Sequence, residues 1–366
     1  MKKFEIKTSS KLYPVYYESG LFQKLNLLIA KHDLKQNTFI IIDQNVYKYH
    51  NEKIDSFISR LNVKVCLYSI NPSEINKSHT QLNDIYSALI ENGFGRDTLI
   101  VAIGGGITGD IAGFAASTFS RGVNIIHVPT TLLAMVDSSI GGKTGINFES
   151  TKNIIGTFYQ PDFVLIDTDF LKTLPEEEFI CGLGEVIKYS LLIGNGFLKE
   201  IKKSLSKSLK LDKKLLLDSI DTCIKFKSGI VEKDEKELNG LRKVLNLGHT
   251  FAHAIEVERG HTIKHGQSVI IGLTCSLYLS KKLGILNEKL FKEYLSLFLL
   301  AKEKIRLPFF YPVKIYEIMK RDKKAANNKL KFVLLKEAGN ILIDVEASKH
   351  LVLDSINEGL NHFIVD

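Results

Sequence analysis

The chain has 366 residues, 45% of them hydrophobic and 25% charged, the balance of an ordinary globular protein with room for two domains. Its net charge of +8 comes from lysines spread along the whole length, which argues for a lysine-rich surface and against a nucleic-acid partner. Met1-Lys2-Lys3-Phe4-Glu5-Ile6 leads into no apolar leader, and the longest apolar stretch, Val269 to Leu279, is too short to span a bilayer, so a cytoplasmic protein with no membrane partner is expected.

Taken in chain order, Phe4 to Lys7 and Tyr13 to Glu18 read as an extended pair at a sheet edge. Strands are expected at Thr38–Asp43, Val63–Ser69, Leu99–Ile103, Asn124–Val128 and Phe163–Asp167, nearly all continuously apolar, as strands covered on both faces must be. Helical stretches such as Leu21–Lys31 and Gln81–Asn92 separate them. The alternation predicts an α/β N-terminal nucleotide-binding domain with a parallel sheet. From Glu176 to about Lys304 helical periodicity takes over, and Leu330–Leu335 with Ile341–Val345 form a late β-excursion. The expected partition is therefore 1–173 and 174–366, the second part mainly α-helical and metal-binding.

Gly104-Gly105-Gly106-Ile107-Thr108-Gly109 follows a strand and precedes the apolar stretch Ile111–Ala116. Such glycines let backbone amides approach a pyrophosphate at a helix N-terminus. The acid usual about 20 residues on is missing, but Asp43 ends the first long strand and offers a hold for a ribose. Further on, Thr130-Thr131 ends another strand, and Asp137-Ser138-Ser139-Ile140-Gly141-Gly142-Lys143-Thr144-Gly145 reads as a polar loop with one lysine suited to an anion.

In the helical half, His249 and His253 lie four apart on one helix face, His261 and His265 follow, and Glu185 stands upstream. Two imidazoles and a carboxylate make a catalytic metal set, and spacing alone favours His249 with His253. The four cysteines, Cys66, Cys181, Cys223 and Cys275, form no C-x-x-C pair and read as reduced thiols.

Gly104-Gly105-Gly106…Gly109-Asp110, Val128-Pro129-Thr130-Thr131-Leu132-Leu133, Val136 to Thr144, Gly184-Glu185-Val186-Ile187-Lys188 and Leu245-Asn246-Leu247-Gly248-His249-Thr250 together resemble the signatures of the 3-dehydroquinate synthase family, over roughly residues 40 to 270. The resemblance implies zinc or cobalt on Glu185, His249 and His265, with His253 facing a substrate phosphate. It implies NAD contacts at Asp43, Asn45, Glu74, Lys77, Gly105, Gly106, Asp110, Thr130, Thr131, Lys143, Lys152, Phe170 and Thr173. Substrate and catalytic roles would fall on Asp137, Lys143, Asn153, Glu185, Lys188, Lys227, Arg242, Asn246 and His253, with Lys323 and Lys324 in a looser tail. It further implies a homodimer in which Arg121 reaches the neighbour's anionic sugar-phosphate substrate. Gln267, Ala252 and Gly184 depart from the usual pattern, and the segment between Glu232 and Arg242 is one residue longer. A related cyclase, a metal-dependent polyol dehydrogenase and a non-catalytic nucleotide-binding scaffold are the competing expectations.

Overall fold

The computed structural model describes residues 1–34, 36–149, 151–260, 262–307, 309–322 and 330–364, so Lys323, Lys324 and His261 lie outside the described residues. The chain forms two compact units, Met1–Pro175 with Ile220–Lys236, and Glu176–Ser219 with Glu237–Asp366. The sequence reading drew one continuous second part from residue 174, whereas residues Ile220–Lys236 gather with the first unit. Helical periodicity identifies a helix there but carries no information about which core it joins.

In the first unit the strands are β1 (Lys2–Lys7), β2 (Leu12–Glu18), β3 (Asn37–Asp43), β4 (Val65–Ile70), β5 (Thr98–Gly104), β6 (Asn124–Pro129), β7 (Lys143–Phe148), β8 (Thr151–Phe158) and β9 (Phe163–Asp167). The helices between them are α1 (Leu25–Lys31), α2 (Gln44–Ile58), α3 (His79–Glu91) and α4 (Gly106–Thr118). Among the described residues, seven strands form one sheet in the order β1-β2-β9-β6-β5-β3-β4, parallel except for the β1–β2 edge pair. Phe39–Ile42 and Leu99–Val101 have no exposed surface, which is why those strands carry no polar alternation. Ser78 caps α3 and Asp43 caps α2, each side chain accepting a first-turn amide.

The expected polar loop at 137–145 is differently built. Ala134–Ser138 makes a π-type turn, Gly141 and Gly142 turn the chain with positive φ, and Lys143 opens β7, which pairs with β8 in a separate antiparallel ribbon. Gly145 faces Gly156 across this ribbon, and a Cβ on Gly156 would meet Thr144 O at 2.0 Å. Of the glycines that read as loop, Gly141 and Gly142 serve the turn and Gly145 the close strand approach.

The second unit contains α5 (Glu176–Ile193), α6 (Asn195–Leu205), the start of α7 (Lys213–Val231), α8 (His249–Glu258), α9 (His265–Lys282), α10 (Glu288–Phe298), α11 (Pro312–Asp322), the ribbon β10 (Lys331–Glu337) with β11 (Asn340–Glu346), and α12 (Lys349–Leu360). Helix α9 packs against α5, α8, α10, α12 and β10. Buried on every side, it must be apolar all round, which accounts for the Val269–Leu279 stretch.

Within the first unit, Glu235 ties the 220–236 segment to the β1–β2 turn. Its carboxylate accepts from the Ser9 and Ser10 hydroxyls, from Ser10 N at 3.1 Å and from Gln160 Nε2 at 2.9 Å. Burial favours the neutral acid, but these donors outweigh it and hold the carboxyl at about 2 against an ordinary 4.5. A folded value below the unfolded one gives stability that is fully present above pH 4.5 and is lost as pH falls towards 2. Glu235→Gln should therefore flatten the acid limb of stability against pH in urea titrations. Parallel limbs for wild type and variant would show that Glu235 does not carry this dependence.

Candidate active site

In the first unit, β5 ends at Gly104, Gly105 occupies the N-cap position of α4, and Gly104, Gly105 and Gly106 line the pocket at this helix start, where first-turn amides lack intrahelical partners. The glycines are demanded by contact: a Cβ would lie 2.5 Å from Thr108 Oγ1 at Gly104, 3.0 Å from Thr131 Cγ2 at Gly105 and 3.0 Å from Ser138 Oγ at Gly106. Around them the buried hydroxyls of Thr108, Thr130, Ser138 and Ser139 have no hydrogen-bond partner among the described residues. Unspent hydroxyls beside helix-terminal amides suit the oxygens of a pyrophosphate, so this cradle fits a dinucleotide.

Ionised side chains surround the cradle. Asp110, in the second turn of α4, pairs with Lys77 Nζ, which also donates to Asn153 Oδ1. Burial raises the Asp110 carboxyl, with the Lys77 ammonium opposing it. Glu74 accepts from Asn147 Nδ2 at 2.9 Å and meets Lys152 at 3.4 Å. Lys227 donates to the Asp137 carbonyl at 2.7 Å and lies 3.0 Å from its carboxylate. Lys143 lines the same pocket as Gly105, Gly106 and Asp110. His127 lines it too, its imidazole kept neutral by burial that lowers its pKa to about 4.

Other expected contacts are not among the residues lining this pocket. Asp43 accepts Asn45 N at 2.7 Å as a helix cap. Phe170 is 2% exposed, its ring 5.5 Å from Phe22 and 4.9 Å from His50, while Thr173 Oγ1 bonds His50 Nε2 at 2.7 Å; neither Phe170 nor Thr173 lines the glycine pocket. Arg121 is exposed beyond the opposite end of α4, in a run of left-handed residues with φ +50 at Ser120, +67 at Arg121 and +115 at Gly122.

In the second unit, α5, α8 and α9 bring Glu185, His249 and His265 together, their donor atoms all within 4.8 Å of one another. His249 Nδ1 bonds Leu247 O at 3.1 Å and His265 Nδ1 bonds Glu256 Oε1 at 2.8 Å. Both rings thus present Nε2 to Glu185 Oε1, at 3.4 and 3.5 Å. Glu185 has no exposed surface, and neither of its oxygens has a hydrogen bond among the described residues, although Lys188 Nζ stands 2.5 Å from Oε2. Burial opposes ionisation of Glu185, but Lys188 and the two imidazoles outweigh it and hold the carboxyl well below its usual range. One carboxylate and two Nε2 atoms converging this way fit a zinc-type cation.

Helical spacing had favoured His253 as the partner of His249. His253 is exposed, its ring centroid 5.5 Å from that of His249, and it falls outside the converging group. Arg242 is buried and faces Glu237 at 3.4 Å. Before it, Glu237 (φ +59) and Gly240 (φ +73) lie in the left-handed region. Asn246 ends the short turn Leu241–Asn246 that leads to His249.

The family description 3-dehydroquinate synthase N-terminal matches residues 67–181, and 3-dehydroquinate synthase C-terminal matches residues 182–325. A 3-dehydroquinate synthase of Clostridium tetani is 37% identical, covering 99% of this chain and 96% of its own length. Its counterpart in Legionella pneumophila is 40% identical over 98% of this chain and 99% of its own. This chain belongs to the 3-dehydroquinate synthase family. Among solved structures, 2-deoxy-scyllo-inosose synthase complexed with carbaglucose-6-phosphate, NAD+ and Co2+ aligns with a TM-score of 0.88 at 25% identity, covering 98% of this chain and all of that one (100%).

Sequence reasoning missed Glu256, His127 and, among the unspent hydroxyls, Thr108, Ser138 and Ser139, whereas Thr130 was expected at the dinucleotide. Glu256 had a signal: it lies seven residues after His249, on the same helix face. His127 sits inside an apolar strand run and gave none.

The Lys77–Asp110 pair generates a stability prediction. Lys77→Met leaves Asp110 without its cation and should cost about 2 kcal/mol, between an exposed and a fully buried pair because Asp110 keeps 23% of its side chain exposed. Lys77→Met with Asp110→Asn should recover most of that in urea unfolding. Equal losses in the single and double variants would show that the pairing is not what stabilises this corner.

Proposed function

We propose that this protein acts as a 3-dehydroquinate synthase, a carbon–oxygen lyase that converts 3-deoxy-D-arabino-heptulosonate 7-phosphate to 3-dehydroquinate and phosphate. The observation that carries the reading is the convergence of Glu185, His249 and His265 in a chain that also holds a glycine cradle with unspent hydroxyls, within a family of this name. Glu185, His249 and His265 would hold a zinc or cobalt ion, and Gly105, Gly106, Asp110, Thr130 and Thr131 would cradle NAD. When bound, the dinucleotide supplies a reversible hydride acceptor and the divalent ion a Lewis acid.

The substrate's ring hydroxyl is oxidised transiently, which makes the neighbouring C–H acidic. Phosphate leaves by elimination, the ketone is reduced again, and ring opening with aldol closure gives the carbocycle. Lys143, Lys188, Lys227 and Arg242 supply the cations that a carboxylate and a phosphate require, with Asn153 and Asn246 as neutral partners. Asp137 holds Lys227 in place through both its carbonyl and its carboxylate. His253, exposed beside the metal set, is suited to proton transfer at the phosphate. A polyol dehydrogenase has no use for this many cations, which favours the cyclase reading.

Incubation with the heptulosonate phosphate and trace NAD should release phosphate in many-fold excess over the nucleotide, without accumulation of the reduced form. His253→Ala should keep its metal and lose turnover. Reduced nucleotide accumulating in proportion to turnover would point to a dehydrogenase, and activity only on another sugar phosphate to a different cyclase.

The same reading makes the protein a cytoplasmic homodimer whose Arg121 serves the neighbouring subunit. The run of three left-handed residues supports it, since strain of that kind is kept where an exposed side chain must be aimed. Mixing inactive Arg121→Ala with inactive His249→Ala should restore activity in mixed dimers. Mixed dimers that stay inactive would confine Arg121 to its own chain or remove it from the reaction.

A further inference from the structure

We infer that Glu256 is a positioning residue that fixes His265 as the stronger of the two histidine ligands for the divalent cation. The inference rests on the metal reading above and concerns a carboxylate given no role there. Glu256 is 1% exposed and lies on the last turn of α8, its Oε1 2.8 Å from His265 Nδ1. His265 opens α9 and keeps 30% of its side chain exposed, so its ring orientation depends on the polar contacts it makes as well as on packing. The Glu256 contact is the one made by its Nδ1. With Nδ1 engaged by a carboxylate, Nε2 is the nitrogen left to face the cluster, 3.5 Å from Glu185 Oε1.

The two histidines are therefore unequal. His249 is steadied by the neutral carbonyl of Leu247 at 3.1 Å, from two residues back in its own chain. His265 is steadied by a buried anion from another helix. An anionic acceptor on Nδ1–H makes the opposite nitrogen more basic, and such outer partners are typically worth 10–100-fold in metal affinity. The second carboxylate also offsets the Lys188 ammonium, which stands 2.5 Å from Glu185 and would otherwise weaken the site for a dication.

Replacement by glutamine separates these effects. The amide removes the charge, and if its NH2 group faces Nδ1 the ring takes the opposite tautomer, with a proton on the ligating nitrogen.

The experiment is Co2+ binding to the full-length protein, followed by the visible absorption of the ion and by competition with a chromophoric chelator. Glu256→Gln should bind Co2+ about 10–100-fold more weakly, with a shifted spectrum and an unchanged Tm of the metal-free protein. In a His265→Ala background the same change should cost nothing further, whereas in a His249→Ala background it should still weaken binding. If the glutamine variant folds poorly, Glu256→Asp keeps the charge, withdraws it from Nδ1 and should give an intermediate affinity. Wild-type affinity and spectrum in Glu256→Gln, or an equal loss in the His265→Ala background, would overturn the inference and leave the metal reading standing. A wild-type protein that takes up no Co2+ would overturn both.

Discussion

A charged carboxylate with no exposed surface has to be compensated, and Glu185 sets that requirement for the second unit. Withdrawing such a group from water costs several kcal/mol after relaxation, so cationic or hydrogen-donating groups must be brought to it closely. Lys188 comes from the next turn of α5, but the imidazoles must come from the first residues of α8 and α9. Three helices then have to approach to backbone distance. A Cβ on Gly184 would meet Gly266 O at 2.4 Å, and one on Gly272 would meet Gly248 O at 2.3 Å. The glycines flanking the metal set are the steric condition for the electrostatic one.

The first unit meets a related demand by other means. Its cradle offers amides at a helix start and hydroxyls without hydrogen-bond partners among the described residues. Both are donors held ready for oxygens that the chain does not itself provide. Charged pairs stand beside it, Lys77 with Asp110 and Lys227 with Asp137, each cation already fixed by an acid. A lysine so held keeps its position while offering the rest of its field to an incoming anion.

Much of this was legible in the residues, and the reasons differ by element. Strands β3, β5, β6 and β9 of the main sheet declared themselves because burial on both faces leaves them nearly all apolar side chains. The glycine loop was legible because its position between a strand and a helix is local in sequence. The β7–β8 ribbon was not, since Gly141, Gly142 and Gly145 serve two purposes, turning and close strand contact, under one residue type. The metal set shows the limit of periodicity. Spacing along α8 pointed to His253, whereas the partner that converges comes from α9, and a contact between helices leaves no trace in the period of either. The resemblance to a family supplied what periodicity lacked there.

The tie between Glu235 and the serines at the β1–β2 turn spans 225 to 226 residues of chain. During synthesis, the turn therefore leaves the ribosome long before the segment that completes its core exists. The first unit has to wait, partly assembled, while the opening helices of the second are made, a long-range closure of the kind that slows folding. Neither unit is a contiguous stretch of chain, so a fragment ending at Pro175 would expose the surface that residues Ile220–Lys236 cover. The two units are one product of translation, and a gene cut at the apparent boundary encodes neither.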